Sequence, residues 1–408
     1  MVDNLVLCGT VLATGFLISR VTSLMNFFHP GVFYYWYFLL FSYLSFLYKD
    51  VYEYALEIES WTLYMLTISI FSFSFGMVFS SNKRNLESLK VNIGELVEKS
   101  VTHVDVPYLI YLLSIMTAVG TAIYFSYTSN VFLWLSEDFD DLRMKIREGR
   151  GFITLLGINL SYIAIILGGI LSYKKKKPIL LIVSLLVCSA SAITYGNRAP
   201  ALEVISVGGV FLALMYLKTI KFRHFVVSFI ALLTLLMIMQ VIRQGLDFTL
   251  DSIIKQMLWR PFTNLQNLQL IFDDFPYKFD FYYGKTWLYD LSLFLPGTSE
   301  NFGTHLKNLL ELDFTGGSVT ATLTGQSYID FGLVGVIIIS FVVGFLAQQI
   351  YLYFLDGKIS LITLIISSLT FKSMVSSGVI SPVLYIFIPC FLIYSSFKVA
   401  NNIFRSIG

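Results

Sequence analysis

Two groups of residues in this sequence could act on an anionic or polyhydroxylated molecule: arginines at helix ends, and aromatic side chains crowded beside carboxylates. Arg198 sits in the turn Tyr195-Gly196-Asn197-Arg198-Ala199-Pro200 between two apolar runs, where little loop exists to carry it away. Pro200 suits the first turn of a following helix. On that helix Gly209 falls about 20° from Arg198, about three turns along the same face. A guanidinium above bare backbone would hold a phosphate through paired hydrogen bonds while a lipid chain approaches the glycine. The plainer alternative is an arginine snorkelling to the interface beside a helix-packing glycine. Glu203 lies in the same run about 140° from Arg198, so it is expected either to brace another helix or to move a proton.

Further candidates lie in polar segments. Ser136–Arg150 reads as a short helix, acidic in its first turn and basic in its last, with Gly149 as its C-terminal cap. Helical spacing puts Arg143, Arg147 and Arg150 in one stripe, either a solvated face or a docking face for a phosphate or polyanionic glycan. Between Phe279 and Tyr289, the rings of Phe281, Tyr282, Tyr283 and Trp287 alternate with Asp280 and Lys285, and Asp290 follows. Sugars present apolar C–H faces ringed by hydroxyls, so this stretch suits a glycan; an interfacial aromatic belt is the alternative. Arg243 and Asp247 have the spacing of a local ion pair. His305 could exchange a proton near neutral pH, although nothing beside it in sequence fixes its tautomer. Asp273-Asp274 lacks further ligand spacing, and Cys8, Cys188 and Cys390 fall in apolar runs, so no metal site is expected.

The elements that must position these residues are helices in a bilayer. The chain has 408 residues, 56% hydrophobic and 13% charged, with a mean hydropathy of +0.74, too apolar for a water-soluble globule. A net charge of +2 offers no basic field for nucleic acid. A crossing takes about 20 apolar residues, and about eleven candidate runs occur. They lie near 4–19, 31–48, 61–80, 107–126, 152–172, 179–195, 199–217, 225–242, 332–355, 359–377 and 380–397. Basic loops at Lys83 to Lys99, Lys174 to Lys177, Lys218 to Arg223 and Lys358 are assigned to the cytoplasmic side, which places the acidic loops outside. The expected organisation is an all-α polytopic membrane protein. Residues 1–242 hold the first eight spans and the external helix 136–150; residues 243–331 form a long, partly helical periplasmic loop; residues 332–408 hold the last three spans and a cytoplasmic C-terminus. A connection as long as 243–331 is expected to carry function.

The segment from Gly316 to Gly335, Gly-Gly-Ser-Val-Thr-Ala-Thr-Leu-Thr-Gly-Gln-Ser-Tyr-Ile-Asp-Phe-Gly-Leu-Val-Gly, resembles the Gly-Gly…Thr-Gly-Glu…Tyr…Asp-Phe-Gly…Gly block of Wzy-type O-antigen polymerases. These are oligosaccharide repeat-unit polymerases of the bacterial inner membrane. Arg198 and Gly209 look like the family's spaced arginine and glycine, and Arg147-Glu148-Gly149-Arg150-Gly151 like its arginine-rich external segment. Gln326 stands where an acid is common, and no His-Ser-His-like cluster points to the related O-antigen ligases.

The resemblance implies a GT-C-like architecture for lipid-linked glycosyl transfer, a loop domain over an outer cavity, and no cofactor. It implies transfer of a glycan from undecaprenyl diphosphate to a sugar hydroxyl of a newly flipped repeat unit. Arg198, Arg243 and Arg260 would then receive the departing diphosphate, because a guanidinium is permanently charged and binds phosphate through two bonds. His305, Glu300 or Asp330 would take the acceptor's proton. Arg143, Arg147, Arg150, Lys285 and Tyr328 would contact the glycan. The implied partners are the lipid-linked donor and acceptor, the bilayer and a polysaccharide chain-length regulator. A flippase is the principal alternative, although such transporters favour compact loops and charges near the midplane.

Overall fold

In an apolar medium no water is present to satisfy the backbone, so long runs of Leu, Ile, Phe and Ala close their hydrogen bonds within helices. Hydroxyl side chains in these runs turn back onto the preceding turn: Thr14 Oγ1 donates to Thr10 O at 2.6 Å, and Ser161 Oγ to Gly157 O at 2.9 Å. The structure, a computed structural model, describes residues 2–24, 26, 29–43, 46, 58–81, 101, 108–129, 151–194, 198–217, 249–292, 302–312 and 319–407. Every regular element among the described residues is helical. Five helices there are long and apolar enough to cross a membrane: Asp3–Val21, Ser60–Ser81, Tyr108–Thr128, Ile153–Lys175 and Thr322–Leu355. Among the described residues the protein is all-helical, consistent with a polytopic membrane protein. The run at 225–242 and the segment 136–150 lie outside the described residues.

Two compact units share the chain. The first takes residues 1–91, 249–359 and 367–384. It contains α1 (Val2–Val21), α2 (Pro30–Phe38), α3 (Ser60–Ser81), α8 (Leu250–Asp274), α9 (Lys285–Ser292), α10 (Phe302–Leu309) and α11 (Thr322–Leu355). The greater part of α12 (Leu361–Ser377) also belongs here. His29 caps α2: its Nδ1 accepts from Gly31 N–H at 3.0 Å, so its Nε2 carries the proton and donates to Gln348 Oε1 at 2.7 Å. α3 and α11 pack backbone to backbone, because a Cβ on Gly76 would stand 2.1 Å from Phe341 O and one on Gly344 would stand 2.0 Å from Phe73 O. α8 buries Phe262, Leu265, Leu268 and Phe272 on one stripe. From that stripe Gln269 Oε1 accepts from Thr62 Oγ1 at 2.6 Å and Glu59 N–H at 3.0 Å, tying down the start of α3.

The second unit takes residues 92–248, 360–366 and 385–408. It contains α4 (Tyr108–Ser129), α5 (Gly151–Lys175), α6 (Ile179–Thr194), α7 (Arg198–Leu217) and α13 (Ile388–Ile407). Asn159 of α5 donates to Tyr385 O at 2.9 Å. The hydroxyl of Tyr162, also on α5, donates to the buried carboxylate of Glu203 on α7. Of the two roles open to Glu203 in the sequence, the brace between helices is the one this bond makes.

One helix begins earlier than its apolar pattern suggests. α11 starts at Thr322, ahead of the expected span at 332–355 and inside the stretch assigned to the outer loop. Thr322, Thr324, Gln326, Ser327 and Asp330 lower the local hydropathy, yet all are buried.

Candidate functional site

α11 reverses direction at Gly332, whose φ of 64° and ψ of −151° suit only glycine. A Cβ on Gly335 would stand 2.3 Å from Ser327 O, whereas in a straight helix these residues would be about 12 Å apart. The two halves therefore lie against each other as a helical hairpin. Ser69 of α3 fixes its register, bonding Thr324 Oγ1 at 3.0 Å on one arm and Ser340 Oγ at 2.9 Å on the other.

The reversal exposes the last carbonyls of the first arm, and the aromatic stretch before α9 satisfies them. Tyr282 N–H donates to Ile329 O at 2.9 Å and Tyr283 N–H to Asp330 O at 3.0 Å. The Asp330 carboxylate, fully buried, accepts from Gly284 N–H at 3.0 Å, Thr286 N–H at 3.4 Å and the Thr286 hydroxyl. A carboxylate facing the first turn of a helix offsets both the orphan N–H groups and the helix dipole. Asp330 thus caps α9.

α9 and α10 meet through rings. Tyr289 stacks on the His305 imidazole with centroids 4.4 Å apart and planes 20° apart, while the Tyr282 hydroxyl bonds His305 Nε2 at 3.0 Å. Two partners that orient His305, Tyr282 and Tyr289, come from the aromatic stretch. Val319 N–H donates to Gly303 O at 3.0 Å, joining α10 to the segment entering α11.

The other expected residues are placed as follows. Tyr328 is buried, its hydroxyl donating to Phe275 O at 3.3 Å and its ring meeting Phe272 edge-on at 4.8 Å. Lys285 is exposed at the start of α9. Arg198 opens α7 and Arg260 belongs to α8, but their side chains lie outside the described residues. So do Arg143, Arg147, Arg150, Arg243 and Glu300.

Three polar side chains were not singled out as catalytic or phosphate-binding by sequence. Asp290 on α9 is 5% exposed, and burial pushes its carboxyl up to about 6, offset in part by the Gln326 amide and the Phe302 N–H. Gln326 is 1% exposed and takes Val379 N–H on its Oε1 at 2.6 Å. Lys372 on α12 is buried with its ammonium 4.6 Å from the centre of the Tyr37 ring. An ionisable residue within an apolar run was the available signal for Lys372. For the other two no sequence spacing brings α9 to α11.

A family model described as "Putative O-antigen polymerase" matches residues 26–388. No curated protein and no solved structure matches the chain.

Proposed function

From the premise that this chain belongs to the O-antigen polymerase family, we propose that it joins lipid-linked oligosaccharide repeat units with undecaprenyl diphosphate as the leaving group. The observation that carries this reading is the family match over 26–388, which takes in the helical hairpin and the aromatic platform. In the proposed reaction the sugar hydroxyl of one repeat unit attacks the anomeric carbon of the donor. The bond from that carbon to the diphosphate oxygen breaks, and the lipid diphosphate leaves with the bonding electrons.

Arg198, Arg243 and Arg260 are assigned to the leaving group, whose growing negative charge their guanidinium groups would meet through paired hydrogen bonds. Arg143, Arg147, Arg150 and Lys285 are assigned to the glycan and its anionic groups. Tyr282, Tyr289 and His305 offer the flat, partly polar surface that a pyranose ring packs on. Asp330 serves as a positioning residue, holding α9 and its rings through the cap. The reading places the site on the periplasmic face of the bacterial inner membrane, where a chain-length regulator would meet the growing polymer.

Arg198→Ala and Arg243→Ala test it in cells. Each is expected to abolish polymer while single lipid-linked repeat units collect on the outer leaflet. Repeat units collecting on the inner leaflet instead would mean that the protein moves its lipid substrate rather than polymerising it.

A further inference from the structure

Asp290 and Gln326 are brought together from α9 and the first arm of α11. The fold keeps this contact although it leaves a polar group unsatisfied. Gln326 Oε1 is fixed by Val379 N–H at 2.6 Å, and a Cβ on Gly378, which has a φ of +90°, would stand only 2.3 Å from the same oxygen. The orientation of the amide is thereby set. The amide is near enough to the Asp290 carboxyl to favour its ionised form, while its Nε2 has no hydrogen-bond partner. Trp287, one turn earlier on the same face of α9, also carries a buried N–H without an acceptor. Buried donors in this state disfavour the folded protein, so each calls for an explanation in terms of what it binds.

A hydroxyl group answers the need. Its oxygen accepts from an amide N–H, and its proton points to a carboxylate. The neighbourhood suits a sugar: Tyr289, adjacent to Asp290 in the chain, carries the stack with His305, and the Phe302 N–H that bonds Asp290 starts the helix presenting that histidine. We propose that Asp290 accepts the proton of the attacking sugar hydroxyl while Gln326 Nε2 holds the hydroxyl oxygen. This rests on the polymerase reading and names the proton acceptor within it. As the oxygen–carbon bond forms, the O–H proton passes to an Asp290 carboxylate oxygen and the lipid diphosphate departs, so charge and atoms balance.

Burial supports the role, because a carboxyl raised to about 6 is a stronger base than an ordinary aspartate and is still mostly ionised at neutral pH. The titratable groups on the packed elements are Lys285 and Tyr289 on α9, His305 and Lys307 on α10, and Tyr328 and Asp330 on the first arm of α11, the last bound to the first turn of α9. The turn Ile380–Pro382 has none.

Asp290 also bonds Phe302 N–H, so Asp290→Ala would disturb α10 as well. Asp290→Asn retains an acceptor for that bond and removes the base. With purified protein in vesicles and one defined lipid-linked repeat unit, Asp290→Asn is expected to slow transfer by about 100-fold or more while still binding the repeat. Gln326→Glu would place a second carboxyl beside the first and is expected to move the acidic limb of the pH profile to higher pH. Wild-type turnover in Asp290→Asn overturns the inference and leaves the polymerase reading standing. If Asp290→Asn does not fold, an unshifted profile in Gln326→Glu overturns it. Wild-type protein that binds the repeat and makes no polymer overturns both.

Discussion

By residue type Asp330 reads as an acid or base, and in the structure its three acceptor contacts all hold the first turn of α9. Asp330→Ala is therefore expected to cost about 3 kcal/mol, the scale of hydrogen bonds to a buried charge, and to lower the melting temperature and activity together. Lost activity with unchanged melting would show that it touches the reaction directly. Tyr289→Ala belongs to the same scale: losing an aromatic platform is expected to raise KM for the repeat unit by about 2- to 10-fold with kcat little changed. For Asp290 the sign is fixed by its raised value of about 6. The ionised, proton-accepting form is lost as pH falls through that value, so the rate is expected to fall on the acid side of it and the Asp290→Asn residue to lose that limb. Asp290, His305 and Asp330 could be read as titratable outer residues. Their partners could not, because Tyr282, Gln326 and Thr286 approach from other elements.

At the scale of elements, the helical hairpin in α11 is the feature on which the others depend. Its signal is the glycine-rich end of the Gly316–Gly335 segment, where glycine suits a hinge as well as a sharp reversal. The folded chain distinguishes the glycines by what surrounds them. Gly332→Ala is expected to cost about 1–3 kcal/mol through its backbone conformation alone, and Gly335→Ala to separate the two arms, since its Cβ would stand 2.3 Å from Ser327 O. Gly209 offers the contrast: nothing lies within 4 Å of a Cβ there. Gly209→Ala is expected to raise thermal stability slightly, by up to about 1 kcal/mol, because alanine is the better helix former, so any loss of polymer in that variant reports on what approaches the helix from outside. Equal destabilisation at Gly209 and Gly335 would refute the hairpin geometry. Apolar runs located the helices around 4–19 and 61–80 closely, and the arm of α11 before Gly332 poorly, because buried polar residues there such as Thr324 and Asp330 meet partners distant in sequence.

At the scale of the whole molecule, composition alone required a bilayer, since 56% of the residues are hydrophobic and 13% charged. Chain order suggested consecutive spans with one loop set apart. The folded protein gathers 249–359 with 1–91 in one compact unit, in which α8 and α11 bury their apolar faces against α3. α8 is thereby tied through Gln269 and Thr62 to α3, the helix that anchors the hairpin. Reconstitution of the purified protein in vesicles with one defined lipid-linked repeat unit tests the polymerase reading most directly. A ladder of glycans should appear with one lipid diphosphate released for each new linkage. Transport of the repeat unit across the bilayer with no new glycosidic bond would contradict it.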